Sequence, residues 1–586
     1  MRKTYSSFRA SAAGATLLLL PGLAAGQAPT ITGLTPGRHA NNAPQDGPVT
    51  ITFSQPVTGA SNVRVFTNQR RGQRAGAATG DGTTQLSFQP SQRYAAGERV
   101  SVTIPATVRG TGAGTPVTAG AVCQFRAATG TRLASGRFSG TTSYATPGIE
   151  NTPTLGDINN DGNLDFLIAD GLGERVRVRL GDGLGGLGTP TLLYVGEQPG
   201  GIALADVNND GNLDLLAGSN VASGGDNRYI SVSLGNGQGG FAIPTTLPIP
   251  APPGQVRVGD VNADGNLDIV VVAIVPFVQG GPLTSMLCVR LGNGQGSFTA
   301  VPNMALELNA QPLHLADFNN DGQLDCLVGG FNTNTFKTYL GNGQGGFMLN
   351  TTTAVARLGA NDVADITGDG NLDLLLTDGT AGVVRLLPGT GQGGFGTEIS
   401  LPLTGASTVH AADVNNDGQL DILANYSNGP AGAGLARWLN QNGSTFAPPV
   451  LMTDCAGSDL TTGDMNNDGA LDVVLMDRGI AGGGASTKVR LNNVVLANRP
   501  ATNPLNASCY PNPVHGMAHV VLPQGATKGL QAEVYNTLGQ RVYYNQLAAV
   551  LPGAMATLDV STLSPGLYTL RLTADKRTSS HQLVVK

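Results

Sequence analysis

Seven short apolar runs recur along the middle of this chain, each opened by an aspartate: FLIA, LLAG, IVVV, CLVG, LLLT, ILAN and VVLM. None of them alternates apolar with polar residues. Continuous apolarity of that length suits an inner strand buried on both faces between neighbouring layers. In each unit a variable stretch follows, then a strand ending in Leu, then a glycine-rich turn that closes on an aromatic or apolar residue. Those turns read LGDGLGGL, LGNGQGGF, LGNGQGSF, LGNGQGGF, LPGTGQGGF and LNQNGSTF, and the seventh copy shortens to LNN. Successive units start 49, 54, 57, 48, 48 and 51 residues apart, room for about four short strands, which is one propeller blade. Seven units across 135–495 predict a seven-bladed ring. A linear solenoid would need atypical polar end repeats, and the terminal units here are nearly regular. Residues 130–150, with Leu133 to Phe138 among them, are expected to supply a strand that closes the ring against the last blade.

The flanks carry a different pattern. Over 29–128, short alternating segments at Val49–Phe53, Asn62–Phe66, Gln85–Phe88, Arg99–Ile104 and Ala121–Phe125 are separated by Gly, Pro and Asn turns, which predicts a small β-sandwich. Beyond 506 a second set is expected at Met517–Val521, Leu530–Tyr535, Arg541–Tyr544, Ala556–Val560, Gly566–Leu572 and Ser579–Val585. The fold class is therefore all-β: a seven-bladed β-propeller flanked by two small β-sandwich domains.

Composition agrees. A chain of 586 residues is too long for one core, and 84 glycines with only 13% charged residues mark a turn-rich strand protein. The start reads as an export signal over 1–26: Arg2, Lys3 and Arg9, then an apolar stretch from Ala12 to Leu20, then small residues at Ala24, Ala25 and Gly26. That stretch is too short to span a membrane as a helix, so no transmembrane segment is expected. The five cysteines show no tight spacing and an odd count, so no disulfide framework is expected, and Cys326 reads as an inert core thiol. No basic stripe suggests nucleic acid.

The net charge of −6 is concentrated rather than spread, because 21 of the 40 acidic residues lie in seven nine-residue loops, one before each apolar run. In the second copy, Asp206, Asn208 and Asp210 offer side-chain oxygens, Asn212 a backbone carbonyl and Asp214 a further carboxylate, while Gly211 permits the sharp turn. Val207 and Leu213 point the other way. The equivalent candidate ligands are Asp157, Asn159, Asp161, Asn163 and Asp165; Asp260, Asn262, Asp264, Asn266 and Asp268; Asp317, Asn319, Asp321, Gln323 and Asp325. They continue with Asp365, Thr367, Asp369, Asn371 and Asp373; Asp413, Asn415, Asp417, Gln419 and Asp421; Asp464, Asn466, Asp468, Ala470 and Asp472. An all-oxygen shell suits a hard cation, and the lack of His and Cys argues against zinc or copper. Calcium fits better than magnesium, which keeps its waters in a strict octahedron. Up to seven structural Ca2+ ions are expected, and extracellular calcium is abundant enough to load modest sites. An EF-hand would end on a Glu where this chain has Ile168 and Ala217, and a dockerin-like module needs a helix where a strand follows here. The fifth loop departs, with Thr367 for Asn and Gly368 before Asp369.

With these loops quoted, the repeats resemble the FG-GAP or VCBS-type repeats of integrin alpha-chain propellers and of many exported bacterial proteins. That resemblance implies calcium at Asp157, Asn159, Asp161 and Asp165 and at their equivalents. The segment TFSQPV with LSFQPSQRYAAGERVSVTI resembles bacterial Ig-like domains. YPNPV (Tyr510 to Val514), EVYNTLGQRVY (Glu533 to Tyr543), LSPGLYTLRL (Leu563 to Leu572) and the ending QLVVK resemble the type A sorting domain of type IX secretion. The last resemblance implies handling by the type IX machinery, with removal of the domain and release, or attachment to lipopolysaccharide of the cell outer membrane.

Catalysis is not expected. Of six His, three (His515, His519, His581) fall in the sorting segment, and His314 and His410 read as residues flanking the loops at Asp317 and Asp413. No nucleophile elbow, phosphate loop or HExxH is present. The expected function is an exported, calcium-stabilised binding or adhesion protein that meets a glycan or extracellular protein through the propeller. Its contacts are expected in variable stretches such as Asn220 to Arg228 and Val275 to Ser285, with Pro276, Phe277 and Pro282. The alternatives are a structural surface protein without a ligand and a polysaccharide-acting enzyme on the propeller face.

Overall fold

The computed structural model describes residues 27–586 apart from 113, 118, 132, 147–152, 171–172, 220–227, 275–284, 308, 331, 430–431, 456, 478–484, 495–506, 522–528, 537–539, 548–554 and 575–576. The expected export signal at 1–26 lies outside the described residues. Among the described residues every regular element is a strand apart from one short 3-10 turn, Ala60–Asn62. The chain divides into two compact units, Met1–Asn493 and Val494–Lys586.

In the first unit the repeats form seven sheets of four strands, six of them in sequence order and the third with a short extra strand, Met304–Leu306. The second blade runs Pro199–Ala205, Asp214–Ser219, Tyr229–Ser233 and Thr245–Pro248, each antiparallel to the next. Asp165–Ala169 and Asp214–Ser219, the strands of the apolar runs, are buried at every position. Burial on both faces is thus as the pattern predicts, with one correction of place. These are the second strands of their sheets; the strand before each acidic loop is innermost, and residues on it such as Gln255, His314 and His410 line a central channel. Because neighbouring strands are antiparallel, the acidic loops and glycine-rich turns share one end of the ring. The ends of the second strands and the starts of the third lie at the other.

Apolar clusters join each blade to the next all the way round. Leu167 packs in one with Leu215, Leu216 with Ile269, Val272 with Cys326, Leu327 with Leu374, Leu375 with Ile422, and Leu423 with Val473. A seventh cluster holds Val474 and Met465 of the last blade with Phe166 and Leu155 of the first. That contact closes the ring, and a linear stack would not make it. The outermost strand of the seventh sheet is Ala134–Ala145, from before the first blade. Each fully buried Leu, Ile or Val in these clusters contributes about 1.5–3 kcal/mol.

Residues 31–126 form a sandwich, with Ile31–Thr35, Val49–Thr58, Thr83–Pro90, Gly76–Thr79 and Arg109–Gly110 in one sheet and Arg64–Thr67, Arg99–Ile104 and Ala121–Arg126 in the other. Its core includes Ile51, Val65, Val102 and Phe125. The sandwich also extends apolar side chains into the ring: Phe66 joins the cluster between blades two and three, Val122 the next, and Ala96 that between six and seven. The second unit is a separate sandwich, with Ser508–Tyr510, Met517–Val521 and Met555–Asp559 facing Arg541–Leu547, Leu530–Tyr535, Gly566–Ala574 and Arg577–Val585. Val520, Val534, Leu558 and Leu570 sit in its core.

Candidate metal centres

Each acidic loop links the innermost strand of a blade to the second, so its geometry is set by two rigid neighbours. In the second loop the Asp206 carboxylate accepts the N–H of Asp210 at 3.1 Å and of Gly211 at 2.8 Å. Asp210 accepts the N–H of Asn212 at 2.8 Å, and Asn208 that of Asp210 at 3.2 Å. Asn209 and Gly211 have φ of 60° and 84°, which curls the loop tightly enough for these bonds. Asp214, wholly buried, accepts the N–H of Val207 at 2.9 Å and that of Gly235 at 2.8 Å. The ninth aspartate therefore ties its loop to the start of the glycine-rich turn. All seven copies do this: Asp165, Asp268, Asp325, Asp373, Asp421 and Asp472 accept N–H groups from Gly181, Gly292, Gly341, Gly389, Asn440 and Asn492. This link escaped the sequence reading, because the spacing from the last Asp to its partner varies from 16 to 24 residues.

The fourth loop position was also missed. Asn160 donates to Asn212 of the next blade at 2.8 Å, Asn209 to Asn266 at 2.9 Å and Asn320 to Asn371 at 2.9 Å. Asn467 donates to Asn163 at 2.7 Å across the closing seam. The glycine-rich turn leaves room for this ladder: a Cβ on Gly237 would stand 2.2 Å from Asn212 Oδ1 and 2.5 Å from Asn160 Nδ2.

The carboxylates are costly as they stand. Burial, then the charges of Asp206 and Asp210, push Asp214 up to about 7. Asp165, Asp325 and Asp421 lie at about 7 as well, and Asp268 and Asp472 at about 8, burial being the first cause in each. Buried like charges of this kind call for a cation. The donor set, carboxylate, amide and carbonyl oxygen, fits calcium. Among the described residues no three acidic, His or Cys side chains converge closely enough to hold an ion by themselves, so amide and carbonyl oxygens would have to complete each shell. Loop five differs as its sequence suggests: the Thr367 hydroxyl turns to Asp373 at 3.4 Å, and its N–H donates to the same carboxylate at 2.8 Å.

The N-terminal sandwich and the segment leaving it contact every one of these loops. Gln69 O accepts from Asp157 N at 2.6 Å, Gln73 N donates to Asp206 at 2.8 Å, and Thr103 donates to Asp260 at 2.8 Å. Arg38 pairs with Asp317, Asn41 donates to Asp365 O at 2.5 Å, and Thr129 donates to Asp413 at 2.7 Å. Arg70 spans the closing seam, donating to Gly162 O at 2.6 Å and to Asn467 Oδ1 at 2.8 Å. The loop end of the ring is thus capped. The stretches 220–227 and 275–284, where ligand contacts were expected, lie outside the described residues. The channel is open to a cavity of about 870 Å³ whose walls include Gln255, His314, Asp362 and His410, with Arg99 of the sandwich at the capped end. His314 and His410 flank their loops in sequence, as read, but their side chains face this cavity.

Three family profiles match the chain: a bacterial Ig-like domain over 25–126, FG-GAP-like repeats over 157–217, 317–376 and 365–424, and a secretion system C-terminal sorting domain over 508–586. The FG-GAP-like match falls on blades one and two and on blades four to six. The C-terminal sorting domain marks a substrate of type IX secretion, either secreted or attached to the cell surface. Among the described residues no helix is long and apolar enough to cross a membrane. No match was found among curated proteins. Of solved structures, BBS1N in complex with ARL6DN is 12% identical over 61% of this chain and 96% of its own, with a TM-score of 0.40. A protein of unknown function from Bacteroides thetaiotaomicron is 13% identical over 79% and 98%, at 0.27. A functionally unknown protein from Desulfotomaculum acetoxidans is 11% identical over 68% and 99%, at 0.34. All three TM-scores are too low for those proteins to bear on this one.

Proposed function

We propose that this is an exported binding or adhesion protein, stabilised by calcium in its loops, that recognises a glycan or an extracellular protein at the uncapped end of the ring. The observation that carries the reading is the division of labour between the two ends. One end spends all seven loops on contacts with the Ig-like domain. At the other, Arg357, Leu358, Gly379 and Thr380 border the mouth of the cavity. A concave polar site of this size is suited to a ligand of several sugar or peptide units.

Calcium, when bound, would supply the positive charge that the buried aspartates lack. Asp206, Asn208, Asp210, Asp214 and the carbonyl of Asn212, with their counterparts in each blade, would hold it. Because the loops tie first, second and third strands together, metal binding energy becomes folding energy of the ring. The test is a ligand screen of the mature full-length chain in millimolar calcium against glycan and extracellular-matrix arrays. Saturable binding that chelation abolishes supports the reading, and binding to nothing favours a purely structural surface role. One observation favours an enzyme: His410 Nδ1 lies 3.1 Å from Asp362 Oδ2 within the cavity. Release of products from a polysaccharide would establish that alternative.

A further inference from the structure

The channel floor carries a charge imbalance that neither the loops nor the cap explains. Arg257, on the innermost strand of the third blade, faces the cavity and bonds only within its own strand, to Val256 O at 3.1 Å and Gln255 Oε1 at 3.3 Å. Arg99 enters from the Ig-like domain and donates to Val363 O at 3.2 Å. Arg126, on the neighbouring strand of the same sandwich, lies close enough to feel both Arg99 and Asp362. Among the described residues none of the three arginines forms an ion pair. Asp362, whose charge reaches both Arg257 and Arg126, is already committed: it takes the His410 imidazole at 3.1 Å and the N–H groups of Ala411 at 3.0 Å and Val363 at 2.8 Å.

Two guanidinium groups, Arg257 and Arg99, line the closed end of the cavity beside one occupied carboxylate, with Arg126 behind them, and leave uncompensated positive charge. Burial and then Arg99 lower the Arg257 guanidinium to about 10, and Arg126 is lowered in the same way. Burial alone would raise the Asp362 carboxyl, but His410 and Arg126 hold it well below the usual range. His314 is pushed down to about 4 by burial and by Arg257, so it is neutral and donates from Nε2 to Asn361 Oδ1 at 2.5 Å. The mouth adds Arg357 and Asp459, which cancel. Unpaired charge held away from bulk water is expensive unless an ion of opposite sign meets it.

We infer that this cavity binds an oxyanion-bearing saccharide, a carboxylated or sulfated sugar whose anionic group meets Arg257 and Arg99 at the floor. A planar guanidinium pairs with such groups through two parallel hydrogen bonds. The walls above offer amides and hydroxyls, among them Gln311, Ser407, Thr408 and Ser458, and no Phe, Tyr or Trp lines the cavity among the described residues. Neutral sugars are commonly gripped by stacking on aromatic faces; this site holds hydrogen-bond partners and positive charge instead. The inference rests on the proposed binding role and narrows its ligand.

The test uses the mature full-length chain in calcium and three sets of short oligosaccharides: uronic-acid-bearing, sulfated and neutral. Binding is measured by calorimetry, and melting with inorganic sulfate is compared with chloride at equal ionic strength. Expected are saturable binding of one acidic set, none of the neutral set, and a loss of tenfold or more in affinity for Arg257→Gln, with part of it retained in Arg257→Lys. Sulfate should raise the melting temperature of the parent and not that of Arg257→Gln. Should Arg257→Gln fail to fold, Arg99→Gln, from the other wall, carries the same expectation. Binding of an acidic sugar that neither variant weakens overturns the inference. So does saturable binding of neutral sugars alone, which would leave the proposed function standing. A chain that binds nothing overturns both.

Discussion

Removing calcium should cost the ring most at alkaline pH, and the loop carboxylates fix how that cost varies. Asp214 moves from an ordinary 3.8 to about 7 in the fold. Its folded value lies above its unfolded one, so it adds stability below pH 3.8 that is lost as pH rises through about 7. At about 1.4 kcal/mol per unit, a rise of roughly three units is worth ~4 kcal/mol between the two limits. Asp214 is wholly buried, so solvent screening takes little from that figure. Six further ninth-position aspartates shift in the same direction, to between about 6 and about 8. Even a fraction of their sum is comparable with the ~5–15 kcal/mol that holds a typical domain folded. Calcium binds the ionised form, so its stabilising effect should grow across the same window, with protons released on binding. The assay is scanning fluorimetry near pH 5 and near pH 8, in millimolar calcium and in chelator. A gap between the two melting temperatures that is several times wider at the higher pH is expected. A gap that is equal at both, or widest in acid, refutes the reasoning.

Loop four should be the weakest calcium site, because Arg38 already pairs with Asp317; Arg38→Gln is expected to tighten the weakest step of a calcium titration. Arg70→Ala should remove both bonds across the closing seam, destabilising the ring by about 1.5–3 kcal/mol, read from denaturant unfolding in calcium. Leu375→Ala, in the packed cluster between blades five and six, should cost about 2–5 kcal/mol in the same measurement. All five cysteines are free, so reductant should leave the melting temperature unchanged; Cys123, Cys288, Cys326 and Cys455 are buried, and burial pushes the Cys123 thiol up to about 12, so alkylation of these four in the folded state should be slow.

The ring was legible because it is written seven times: an apolar run that must be buried on both faces, opened each time by the last Asp of a nine-residue acidic loop, defines a blade whatever surrounds it. The closing strand was legible for the same reason, since the seventh unit lacks a fourth strand of its own and Ala134–Ala145 takes that place. Which strand stands at the axis was not, because an apolar run reports burial and not position. The innermost strands carry Gln255, Arg257, His314 and His410, mixed residues that face a channel and so show no clean period. The cap was illegible for a different reason. Arg38, Asn41, Arg70, Thr103 and Thr129 are scattered through strands and turns, and each contacts a loop far away in sequence. Only the assembled fold brings them together. The acidic loops, which dominate the sequence, are therefore a built-in interface as well as candidate metal centres.

The most direct test of this account is the calcium content of the purified mature chain after exhaustive desalting, measured by elemental analysis beside its melting temperature. Several ions per chain, up to the seven that the loops provide for, with a melting temperature that falls when they are removed, is the predicted result. A chain that takes up no calcium at millimolar concentration and melts unchanged in chelator would contradict it.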